Sequence, residues 1–175
     1  MKKILLVALL LISVGASAQT KSQSYIEKFK DDAVRIMHQT GVPASIILAI
    51  AMHESACGSS TIAQNLNNQF GMKGFGTNIF KKNKKTIRTS YKKYDSPSDS
   101  FEDFARIMTE KAKFSSLADK FTHYDYLGWA HGIQKAGYAS SRQWASQVLG
   151  LVKKHQLNTF DENPADVLVA ANNVN

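Results

Sequence analysis

Residues 45–60 read SIILAIAMHESACGSS, and the fold turns on how this stretch is understood. From Pro43 to Met52 nearly every residue is apolar. A helix that is apolar all the way round has no face for solvent, so the segment predicts a central, buried helix over Pro43–Ser55. Pro43 suits a first helical turn and Gly58 a stop. The inner end carries His53, Glu54 and Ser55. A helix C-terminus bears partial negative charge, and an apolar setting disfavours ionisation; both effects raise a carboxyl pKa. A carboxylic acid that keeps its proton near neutral pH is what general-acid cleavage of a glycosidic bond requires. Locally, Glu54 fits equally well as a plain helix-end group or as the partner of one of the many lysines.

Outward from this helix the pattern remains mostly helical. Ile26, Phe29, Ala33, Ile36 and Met37 keep the 3.6-residue period, which predicts an amphipathic helix over Tyr25–Thr40, ended by Gly41. Ser59 or Ser60 caps a short helix over Thr61–Leu66. From Asn67 to Tyr94, glycines at 71, 74 and 76 break helical periodicity. β-formers flank Lys81-Lys82-Asn83-Lys84-Lys85, which predicts a loop and then a β-hairpin with a basic tip. Ser98, Asp99 or Ser100 is expected to cap a helix carrying Phe101, Phe104, Ala105, Met108 and Ala112. Further helices are expected over about Tyr124–Ala136 and around Trp144–His155. The fold class is therefore mainly α, with one small β excursion.

The chain has 175 residues, a net charge of +8 and a single cysteine. Its first 18 residues hold two lysines, an apolar run from Ile4 to Val14 and Ala16-Ser17-Ala18, the layout of an export leader. That run is short of the roughly 20 residues a bilayer span needs, so an anchor or an ordinary first helix is the lesser reading. The remainder suffices for one domain over 19–162, followed by a tail over 163–175. Export and positive charge together point to anionic wall polymers and membrane surfaces rather than nucleic acid, although charge alone fits simple solubility as well. No internal disulfide is possible, and Cys57 reads as a small buried hydrophobe rather than a reactive thiol. The five histidines show no ligand spacing, so no metal or other cofactor is expected.

Four blocks then carry a resemblance. Pro43, Ser45, Leu48, Ala49, Glu54, Ser55 and Gly58 fit a helix motif Pro-x-Ser-x-x-Leu-Ala-x-x-x-x-Glu-Ser-Gly-Trp-Gly. Asn67-Asn68-Gln69-Phe70-Gly71-Met72-Lys73-Gly74 fits Asn-Asn-Leu-Phe-Gly-Ile-Lys-Gly. Tyr94-Asp95-Ser96 with Ser100 and Asp103, and Gly132-Ile133-Gln134 followed by Gly137-Tyr138-Ala139, complete the series. In this order the blocks resemble glycoside hydrolase family 73, the bacterial peptidoglycan N-acetylglucosaminidases, over about residues 24–161. The resemblance implies a lysozyme-like helical domain in which the hairpin walls a groove. It implies Glu54 as general acid, Phe70 and Tyr138 as groove-lining aromatics, and Asn68 and Tyr94 as polar groups near the sugar. The implied partner is the peptidoglycan glycan strand; no stable membrane insertion is expected once the leader is removed, and the oligomeric state is left open with a monomer as default.

Two departures stand out. Ala56-Cys57 replaces Gly-Trp, and no Asp or Glu occurs between Ser55 and Tyr94, where many family members carry a second carboxylate. Glycoside hydrolysis generally uses two. Either the substrate's own N-acetyl oxygen acts as nucleophile, or Asp95 or Asp99 reaches the site, or activity is weak or lost. The first is favoured, with Tyr94 or Tyr138 orienting the acetamido group. The rival functions are a lytic transglycosylase, which also rests on one glutamate but whose Gly-Leu-Met-Gln block is missing, and a noncatalytic wall-binding module.

Overall fold

The computed structural model describes residues 20–161; the expected leader and tail lie outside them. The chain runs α1 (Lys21–Thr40), α2 (Ala44–Ser55), α3 (Thr61–Leu66), β1 (Lys73–Lys82), β2 (Lys85–Tyr91), α4 (Pro97–Glu110), α5 (Ala112–Ser115), α6 (Tyr126–Lys135) and α7 (Trp144–His155), then a 3-10 turn at Leu157–Phe160. Among the described residues no helix is long and apolar enough to cross a membrane.

Helix α2 is the axis of the molecule. Every residue from Ala44 to Met52 is buried, and α1, α6, α7 and the 3-10 turn pack around it. Burying each large aliphatic side chain here contributes on the order of 1.5–3 kcal/mol. Its one interior polar group near the start, Ser45, is satisfied: Ser45 N and Oγ donate to the two carboxylate oxygens of Asp161, at 2.8 and 2.7 Å. Burial lifts that carboxyl to about 6, the Ser45 hydrogen bonds only partly opposing the shift.

An aromatic layer joins α1 to α4 and to the loop before the hairpin. Phe29 stacks on Phe101 and Phe70 stacks on Phe104, with centroids 4.9 and 4.5 Å apart. Helix α4 starts two residues earlier than the Ser98–Ser100 reading expects. Ser96 is its cap, and a reciprocal bond from Asp99 completes a capping box, with Pro97 in the first turn. Ala112 belongs to α5, not to α4, because the backbone of Lys111 is extended and breaks the helix.

The two strands form one antiparallel ribbon. It runs from Lys73↔Tyr91 to Lys82↔Lys85, with an irregularity between Lys73 and Asn78. Asn83 and Lys84, both at positive φ, make the two-residue turn, the backbone that matches strand twist in tight hairpins. Glycines 74 and 76, read as loop, lie inside β1.

Candidate active site

Glu54 lies on the last turn of α2, with its side chain 26 % exposed at the floor of a groove of about 460 Å³. The expected dry setting therefore holds on one side only: helix core behind, open groove in front. The groove wall is drawn from α2, the start of β1, the α4–α5 junction and the segment from Gly137 to Trp144. Among the described residues, Glu54 is the sole carboxylate lining it.

Two neighbours hold Glu54 in place, and a third leaves room before it. Trp144, the first residue of α7, donates its indole N–H to Oε1 at 2.8 Å. His53 Nδ1 lies 3.3 Å from the same oxygen, while His53 Nε2 meets Gln147 Oε1 at 3.0 Å. Gly71, at φ +64°, passes so close that a side-chain Cβ there would stand 3.8 Å from Glu54 Oε2. Glycine both adopts this left-handed backbone and leaves the space before the acid empty.

Tyr138 and Phe70 line the same groove. The Tyr138 hydroxyl points to the Phe70 carbonyl at 3.4 Å, and its ring packs on Trp144 with centroids 5.3 Å apart. Burial, with the nearby Glu54 charge second, holds the Tyr138 phenol well above its usual range. Tyr138 thus lines the same groove as the acid as a neutral phenol. Phe70 combines core and groove positions: its ring is buried and stacked on Phe104, and the residue also lines the groove.

Asn68, Tyr94 and Asp95 do not line the groove. Asn68 is buried, and its amide is fully committed to backbone, donating to Met72 O and Lys92 O and accepting from Met72 N, each at 2.9 Å. It ties the two ends of the hairpin together. The Tyr94 hydroxyl donates to Asp103 Oδ2 at 2.6 Å, where Lys92 Nζ also binds at 2.7 Å, and Arg106 takes Oδ1. Burial raises the Asp103 carboxyl, yet these three partners together hold it below the ordinary range. The same burial and carboxylate push the Tyr94 phenol up. Asp95 is exposed, and its carbonyl accepts from the Asn67 side chain. Asp99 is bound in the α4 capping box.

The Trp-to-Cys exchange also falls outside the groove. Cys57 is partly rather than fully buried, with Sγ 3.6 Å from Ser22 Oγ, and it lines a separate depression beside α1. Ala56 and Cys57 both hold left-handed backbone at φ 51°, which is costly for a residue with a Cβ and explains a glycine in the motif at position 56. Gly58 approaches not a ligand but the Tyr25 ring, 3.2 Å from where a Cβ would stand. Trp144 was placed by sequence only on a helix face. Its signal was an indole in an apolar stripe, since a buried Trp N–H generally needs a partner. Among the described residues no cluster of three or more potential metal ligands occurs.

A family model described as glucosaminidase, mannosyl-glycoprotein endo-beta-N-acetylglucosaminidase, matches residues 30–157. The exo-glucosaminidase LytG of Bacillus subtilis is 29% identical over 157 residues, which cover 83% of this chain and 56% of LytG. The peptidoglycan hydrolase FlgJ of Vibrio cholerae is 25% identical, covering 82% of this chain and 47% of that protein. The chain thus spans about half the length of the curated relatives it matches. Among solved structures, the catalytic domain of the autolysin Auto from Listeria monocytogenes superposes with a TM-score of 0.67 at 24% identity, over 83% of this chain and 90% of that one. The glycoside hydrolase domain of Salmonella typhimurium FlgJ gives 0.61 at 21% identity, over 88% and 99%. At these identities the likeness to the solved structures is one of fold.

Proposed function

Because the chain belongs to the glucosaminidase family, glycoside hydrolase family 73, we propose that it hydrolyses the β-1,4 bond between N-acetylglucosamine and N-acetylmuramic acid in peptidoglycan, with Glu54 as general acid. The observation that carries this reading is the lone, doubly held carboxylate on the groove floor. Glu54 gives its proton to the glycosidic oxygen as the bond to the anomeric carbon breaks. With no second carboxylate lining the groove among the described residues, the substrate's acetamido oxygen bonds to the anomeric carbon and closes a ring. Water then attacks that carbon, the ring opens, and the water's proton returns to Glu54. Tyr138, a neutral phenol lining the same groove, is the residue suited to orient the acetamido group. Asn68 and Tyr94 act one step back by bracing the hairpin wall.

Cleavage inside strands is the mode we favour, in keeping with the endo description of the family model against the exo activity named for LytG, and the proposed substrate implies action in the cell envelope. A zymogram on purified walls tests the assignment: wild type clears, Glu54→Gln does not, and Asp95→Asn clears like wild type. If Asp95→Asn lost as much as Glu54→Gln, the substrate-assisted route would be wrong. If wild type and Glu54→Gln alike left the wall intact, a noncatalytic wall-binding module would be the better reading.

A further inference from the structure

The groove that holds one acid is rimmed by three lysines. Lys73 opens β1, and Lys111 and Lys113 flank the break between α4 and α5. None of the three makes an ion pair within the described residues, whereas neighbouring cations do. Lys92 and Arg106 are held by Asp103, and Arg106 also takes Glu110, the carboxylate next to Lys111 in sequence. The acids of α4 nearest the rim are therefore already committed. Lys113 Nζ lies 4.6 Å from the Phe114 ring centroid and would stand 3.8 Å from a Cβ on Gly137, directly before Tyr138. The extended Lys111 backbone that ends α4 projects this pair from a short turn on the groove wall. Unpaired ammonium groups along a cleft concentrate anions there.

We propose that Lys111 and Lys113, with Lys73, are specificity-determining residues that bind the carboxylates carried by an acidic glycan, so that the groove selects it over a neutral N-acetylglucosamine polymer. This rests on the glucosaminidase reading above. The carboxylate has two possible sources in such a strand, the lactyl ether on the sugar and the peptide attached to it, and both offer the same chemistry to an ammonium group.

Binding to Glu54→Gln protein separates charge reading from turnover. Dissociation constants are measured by calorimetry for soluble peptide-bearing strands, strands stripped of peptides by an amidase, and neutral β-1,4-linked N-acetylglucosamine oligomers of equal length. The anionic ligands are expected to bind about fivefold tighter than the neutral one, the size that two exposed ion pairs sustain. Adding Lys111→Gln and Lys113→Gln, or raising the salt, is expected to erase that ratio. Loss on peptide-bearing strands alone assigns the contact to peptide carboxylates, and loss on stripped strands as well assigns it to the lactyl group. A ratio unchanged by the lysine substitutions, or equal weakening on all three ligands, overturns the proposal. Failure of the glucosaminidase reading would show separately, as anhydro-muramyl products, as walls left intact by wild type, or as hydrolysis that survives Glu54→Gln.

Discussion

The helical body and the β-hairpin flank the same groove but are built on opposite terms. In the body, α2 is sealed: Ile46, Ile47, Leu48 and Ile50 are all fully buried, and shape complementarity around them fixes where Glu54 sits. In the hairpin, Phe75 and Ile79 stand exposed, and no core lies beneath the ribbon's tip. An isolated two-stranded ribbon is marginal in water. Here its base is fastened by polar contacts: Asn68 across Met72 and Lys92, and Asp103 to Lys92 and Tyr94. Packing fixes the helix that carries the acid, while hydrogen bonds hold the hairpin base beside the groove.

That contrast is broken most severely from the body. Leu48→Ala should destabilise by about 2–5 kcal/mol, seen as a lower urea midpoint with the slope unchanged. A loss within 0.5 kcal/mol would mean that α2 is not the packed axis. Next in size is the fastening of the wall. Asp103→Asn should cost about 2 kcal/mol by leaving a partly buried Lys92, Tyr94 and Arg106 cluster without its charge. Because the folded carboxyl is held below its unfolded value, the stability it adds is present above the ordinary range near pH 4 and lost as pH falls through the lower folded value. The wild-type and Asp103→Asn melting temperatures should therefore differ at pH 7 and converge below about pH 4. A gap that persists in acid would point to packing instead.

A smaller effect belongs to the junction between the two regions. Trp144→Phe removes the indole donor to Glu54 and part of a buried ring, and should lower kcat about tenfold while costing about 1–2 kcal/mol of stability. A loss of stability with kcat unchanged in the folded protein would make Trp144 a core residue only. Smallest of all, Ile79→Ser on the exposed ribbon should change stability by less than about 0.5 kcal/mol. A cost near that of Leu48→Ala would show that the hairpin is packed against something after all.

The same contrast decides how far sequence reached. Apolar periodicity made the body legible: α3 is found at Thr61–Leu66 as expected, and α2 within one residue of the expected start. The hairpin and its basic tip were legible from β-formers around a lysine run. Helix α5 and the closing 3-10 turn, four residues each, are too short for periodicity to register. Within Ser96–Ser100 four residues are capable caps, and only the reciprocal bond of Asp99 singles out Ser96. At the site, Glu54 was legible as a candidate because a carboxylate at the end of an apolar helix is a local pattern. Trp144 was not, since it reaches Glu54 from 90 residues away. Asn68 and Tyr94 were assigned to the sugar on the family's pattern, yet their polar atoms turn inward, to backbone and to Asp103. A side chain's polarity shows that it needs a partner; the fold decides which one.

The most direct test is mass spectrometry of the fragments released from purified peptidoglycan by wild type and by Glu54→Gln. The account predicts reducing N-acetylglucosamine ends from wild type and a loss of at least a hundredfold in Glu54→Gln. Anhydro-muramyl ends would instead identify a lytic transglycosylase, and undiminished release by Glu54→Gln would remove Glu54 from the chemistry.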